Sequence, residues 1–216
     1  FRLEYRRQWM DRSIYRRLPL PALDRDGARE LVDELLGNDP SIHGLAQQLV
    51  SRALGNPFFI EELIRTLAES GNLAGRDGAY RLVNPVKTQT LPRTVQAVLA
   101  SRIDRLGETS KLVLQTASVI GQEFEKRVLG RVLDLSETEL EDCLHGLMEV
   151  EFVYQNEFYP EAVYAFRHPI VMEVAYHSLL SRPRAEMHRR AALAFETLQF
   201  ENRDERERPL GTPLET

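Results

Sequence analysis

Few residues of this chain have the type and spacing that chemistry requires. Its five histidines show no metal-ligand spacing, and its single cysteine, Cys143, excludes an internal disulfide framework and a cysteine-rich zinc site. Neither H-E-x-x-H nor G-x-S-x-G occurs, so no zincin helix and no serine nucleophile elbow is encoded. A phosphate-cradling G-x-x-x-x-G-K-[ST] loop is absent too, because no glycine is followed by lysine. Leu31-Val32-Asp33-Glu34 imitates an apolar strand ending in catalytic acids, but Arg29 and Glu30 precede it and its apolar spacing is helical. Glu61-Glu62 fall at the start of a helix, where acids complement the macrodipole. The chain as given therefore holds no complete catalytic site.

What remains is suited to binding. Of 28 basic residues only Lys87, Lys111 and Lys126 are lysine, and six arginines (Arg2, Arg6, Arg7, Arg12, Arg16, Arg17) crowd the first 17 positions. Arginine forks onto phosphate in a bidentate way, although a solvated surface stretch explains the same cluster. With 43% hydrophobic residues, 28% charged and a net charge of -5, the chain is neither a disordered acidic tail nor a strongly basic nucleic-acid binder. No apolar run approaches the roughly 20 residues that span a bilayer, and no leader opens the chain. Low cysteine content fits a reducing cytosol, so a cytoplasmic location is expected. The chain begins with Phe1 and not Met, which points to a fragment.

The elements that must position any site read mainly as helices. Ala28, Leu31, Val32 and Leu35 recur at helical spacing over 24–36, with Gly37 closing. Ser41 is the expected cap of a second helix ending at Gly55. Asn56-Pro57 then restarts a third, with Asn56 as N-cap and Pro57 in the first turn. Residues 71–90 read as a hairpin-like linker between two modules. A second set of helices is expected from Pro92, at 110–120 and at 123–134. Another opens with the capping box Ser136-Glu137-Thr138-Glu139. Phe152–Tyr154 and Ala162–Phe166 look like a β-hairpin, and helices at 169–180 and 183–199 follow. The expected fold is mainly α. Helices followed by a hairpin in residues 92–166 match a winged-helix arrangement.

The order of short segments is more specific than any one of them. Phe1–Tyr5, Leu18–Leu23, Gly55-Asn56-Pro57-Phe58-Phe59-Ile60-Glu61-Glu62-Leu63, Leu91–Val95 and Ser101-Arg102-Ile103-Asp104-Arg105-Leu106 are followed by Val119–Phe124, Phe166-Arg167-His168-Pro169-Ile170 and Val174-Ala175-Tyr176. This series closely resembles the carboxy-terminal half of the AAA-like signalling ATPase module of the STAND class. In that family the module often sits beside adenylate/guanylate cyclase, protein kinase or LuxR-type domains and before TPR repeats. The resemblance spans roughly residues 1–200. It implies a remnant of the ATPase core strand at 1–20, a helical lid at 21–70, the linker at 71–90, and a winged helix at 91–180. A helix at 181–200 would lead into helical repeats, with a mobile tail at 201–216. The P-loop half, which holds ATP/ADP and Mg, would precede Phe1.

Three sites follow from the matched positions. Gly55, Asn56 and Pro57 correspond to the lid motif whose proline packs near the adenine base, though a plain helix stop and start explains the same residues. His168 lies where related NB-ARC modules carry a histidine contacting the bound diphosphate; the alternative is a histidine capping its own helix. Arg2 is similar to the arginine ending a sensor strand. Arg102, Arg105 and Arg167 flank these motifs and are expected to pair with nearby acids. The function implied is the regulatory part of an ATP/ADP-dependent signalling switch, whose partners are the P-loop half and following helical repeats. Two alternatives stand beside it. A DNA-binding winged helix would read with residues 136–150, but these hold five acids and no lysine or arginine, which repels a phosphate backbone. A protein-interaction adaptor would use a stripe of Met187, Ala191, Ala194, Phe195 and Leu198, expected to lie bare and to favour self-association.

Overall fold

The computed structural model describes residues 20–86, 90–157 and 161–207, and side chains to residue 198. The chain divides into two compact units, at Leu91/Pro92.

The first unit starts with α1 (Arg25–Leu36), capped by Asp24, whose carboxylate accepts from the Gly27 N–H at 2.8 Å. Pro40–Ile42 form a single 3₁₀ turn before α2 (His43–Ala53), and α3 spans Pro57–Glu69. Asp39 caps the 3₁₀ turn, in place of the expected Ser41. The Ser41 hydroxyl instead accepts the Leu82 N–H at 2.9 Å, so it ties the helices to the hairpin that follows. Leu36, Leu49 and Ile60, one from each helix, are fully buried, and each burial is worth about 2 kcal/mol. Glu62 is buried as well and pairs with Arg65 at 3.2 Å, so it is more than a dipole-complementing surface acid.

Strands β1 (Leu73–Arg76) and β2 (Ala79–Leu82) form an antiparallel hairpin with Leu73 opposite Leu82. The hairpin is anchored to α1: the Gly78 N–H donates to the Leu35 carbonyl at 2.8 Å. A Cβ on Gly37 would stand 2.4 Å from the Gly78 carbonyl oxygen, an approach only glycine permits. The segment expected to be a linker is thus built into the first unit.

In the second unit α4 spans Val95–Ile103. It begins three residues after Pro92, the expected first-turn residue, because Thr94 supplies the cap, accepting from the Ala97 N–H. Helix α5 (Glu108–Ile120) follows, then a short strand β3 (Glu123–Glu125) and α6 (Lys126–Leu133). Residues 123–134, expected as one helix, are thus a strand followed by a helix. Helix α7 (Glu137–Glu149) opens with the expected capping box, and β4 (Val153–Glu157), β5 (Val163–Phe166), α8 (Pro169–Ser178) and α9 (Ser181–Glu207) follow. The sheet runs β3-β5-β4, antiparallel throughout, with Phe124 opposite Tyr164 and Val153 opposite Phe166. Three helices, α5, α6 and α7, interleaved with this sheet give the winged-helix arrangement.

Helix α9 is where the largest correction falls. Ala191, Ala194 and Leu198 are buried against Val128 and Val132 of α6, and the Thr116 hydroxyl of α5 reaches the Met187 sulfur at 3.7 Å. The stripe expected to be bare is covered by this unit's own helices; of its members Phe195 stays exposed. The helix also continues to Glu207, through part of the expected tail; residues 208–216 lie outside the described residues. No described helix is long and apolar enough to cross a membrane.

Candidate functional site

The Gly55-Asn56-Pro57 turn is formed by three local requirements. Helix α2 ends with Leu54 and Gly55 both left-handed, at φ 50° and 77°. Asn56 then returns to extended backbone, and its Oδ1 accepts from the Phe59 N–H at 3.1 Å. Pro57 occupies the first position of α3, where its missing N–H has no cost, and it is exposed. The turn is fixed from one side by the extended residues before α1: the Leu23 N–H donates to the Gly55 carbonyl at 2.9 Å. A Cβ on Gly55 would lie 2.1 Å from the Leu23 carbonyl oxygen.

Beside this turn lies a cleft of about 650 Å³ between the start of α1 and the end of α2. Leu23, Val50, Leu54 and Gly55 supply its apolar side, while Arg25, Asp26, Gln47 and Ser51 supply polar groups. Leu54 is 83% exposed, so an apolar side chain is presented to solvent from a left-handed residue. At the start of α1 the Gly27 N–H is held by Asp24, and Arg29 holds Asp33 at 2.8 Å. The cleft is a mixed apolar and polar groove.

His168 belongs to the second unit. It is the N-cap of α8, and its Nδ1 accepts from the Ile170 N–H at 3.3 Å. That geometry is the self-capping alternative raised by the sequence. That cap ties the ring to the head of α8 through Nδ1. His168 is held at the end of β5, where the Arg167 N–H donates to the Phe152 carbonyl at 3.0 Å. Gly55, Asn56 and Pro57 are thus brought together in one turn of the first unit, and His168 is positioned separately in the second. Arg2 lies outside the described residues.

The flanking arginines behave differently from one another. Arg167 pairs with Glu151 at 3.4 Å, as expected of a surface arginine beside an acid. Arg102 is buried, donates from Nη2 to the Val150 carbonyl at 2.8 Å, and covers the Phe152 ring at 4.6 Å. Nothing in the sequence separated the two.

On α7 the acids Glu137, Glu139, Glu141, Asp142 and Glu149 are all exposed. Lys126 bridges Glu137, at 2.9 Å, and Glu141, and these carboxylates, Glu141 foremost, raise the pKa of its ammonium. No group of three or more His, Cys, Asp or Glu residues among the described residues is placed to hold a metal ion.

A family model described as a domain of unknown function (DUF8739) matches residues 24–81. The matched residues run from the cap of α1 into β2. No curated protein matches the chain.

Proposed function

We propose that this chain is the regulatory part of a cytoplasmic ATP/ADP-binding signal-transduction ATPase of the STAND class. Its role is to close over a nucleotide held on a P-loop half and to relay the nucleotide's state. Catalytic phosphate chemistry and Mg²⁺ binding belong to the P-loop half, because this sequence has no phosphate cradle.

The observation that carries the reading is the Gly55–Pro57 turn. A flat, exposed proline ring stands at the head of α3, on a turn that Leu23 and a left-handed glycine hold in one shape, beside a cleft with an apolar wall. A rigid apolar surface of this kind suits one face of a purine base. His168, at the head of α8, is the residue assigned to one hydrogen bond with a phosphate oxygen. The exposed acids of α7 count against DNA as the ligand of the winged helix.

Calorimetric titration tests the assignment. The 216-residue chain alone is expected to bind ATP more weakly than about 1 mM, because most of the affinity resides in the phosphate cradle. The protein read from the whole coding frame is expected to bind in the micromolar range. A micromolar site on the isolated chain would overturn the pocket assignment, and so would a frame without a P-loop.

A further inference from the structure

Helices α3 and α7 end in the same hydrogen-bonded turn with different residues at its critical position. In α3 the Asn72 N–H donates to the Leu67 carbonyl and the Gly71 N–H to Ala68, with Gly71 left-handed at φ 72°. In α7 the Phe152 N–H donates to Leu147 and the Glu151 N–H to Met148, with Glu151 left-handed at φ 58°. Glycine is the usual occupant of this position, and a glutamate there is strained. Such strain persists only where surrounding groups over-determine the backbone.

Here two arginines do so. Arg102 of α4 reaches the Val150 carbonyl, one residue before Glu151, and lies over the Phe152 ring, one residue after it. Arg167 pairs with the Glu151 carboxylate through its side chain and binds the Phe152 carbonyl through its backbone. The next residue is His168, whose ring is fixed by the Ile170 N–H.

We propose that Arg102 is a positioning residue: by holding the strained Val150–Phe152 turn it places Arg167 and so keeps the His168 ring seated on the Ile170 N–H. Its functional consequence rests on the nucleotide reading above, but the geometry can be tested without nucleotide. The N–H of Ile170 is in the first turn of α8 and has no partner within the helix, so its exchange rate reports the His168 cap.

The experiment is amide hydrogen exchange on the whole chain, with ¹⁵N shifts of the His168 ring read in parallel. Arg102→Met is expected to speed Ile170 exchange by about tenfold while the amides of α6 hold, since the strained turn loses its clamp. Glu151→Gly relieves the strain at its source, so Arg102→Met/Glu151→Gly is expected to restore both the rate, to within about threefold, and the ring shifts. An unchanged Ile170 in Arg102→Met overturns the proposal. So does a double variant that exchanges as fast as the single one, because a merely structural arginine is not rescued by a glycine placed next to its ring partner. If Arg102→Met does not fold, Arg102→Lys is compared with and without Glu151→Gly against the same two outcomes. Failure here leaves the nucleotide reading intact, and failure of nucleotide binding leaves this result intact.

Discussion

Gly55→Ala is expected to destabilise the first unit by about 3 kcal/mol, the sum of left-handed strain, a backbone collision and a lost hydrogen bond. The methyl would sit 2.1 Å from the Leu23 carbonyl oxygen, which is backbone and cannot rotate away. Relief requires the extended segment before α1 to move, breaking the bond from the Leu23 N–H to the Gly55 carbonyl. Gly71→Ala is the matched control. Gly71 is also left-handed, at φ 72°, but its Cβ would enter open space, so only strain of about 1 kcal/mol is expected. Denaturation followed through amide exchange in α1 and α2 separates the two. Equal effects would mean that Leu23 is not seated on the turn.

Phe152→Ala is expected to cost the second unit about 3–5 kcal/mol, the range for emptying a buried aromatic site. Phe152 and Phe166 are both 1% exposed, so little solvent can enter to fill the void. The loss also strips the aromatic face from Arg102, whose charge is buried and is stabilised by that ring. Phe152→Leu retains most of the apolar volume and isolates the second effect. It is expected to cost about half as much, most of it through Arg102. A Phe152→Ala variant within about 1 kcal/mol of the native chain would remove Phe152 from the core.

The elements most legible in the sequence were those with a local chemical signature. Asn56-Pro57 announces a helix start because the amide caps and the proline fits the first turn, and both do so here. Ser136 and Glu139 announce a capping box because each side chain answers the other's backbone N–H. What stayed hidden depends on distant partners. Strand β3 has three residues, Glu-Phe-Glu, and exists only because Val163–Ala165 pair with it some forty residues later. Apolar periodicity in α9 signalled a buried face but could not say that α5 and α6 would bury it. Glu151 in a left-handed turn carries no sequence signal, since the position normally announces itself by glycine. The candidate site divides the same way. The Gly55–Pro57 turn was visible as a motif, whereas the burial of Arg102 and its hold on the Val150 carbonyl depended on tertiary packing.

The capping bond of His168 also sharpens the account. On the proposed reading His168→Ala removes one hydrogen bond to phosphate, and it also removes the cap at the head of α8. The most direct measurement is the ADP affinity of the protein read from the whole coding frame, with His168 intact and as His168→Ala. The account predicts that His168→Ala loosens ADP by about tenfold or more, the worth of one hydrogen bond to a charged group. Equal affinity in the two proteins would contradict it.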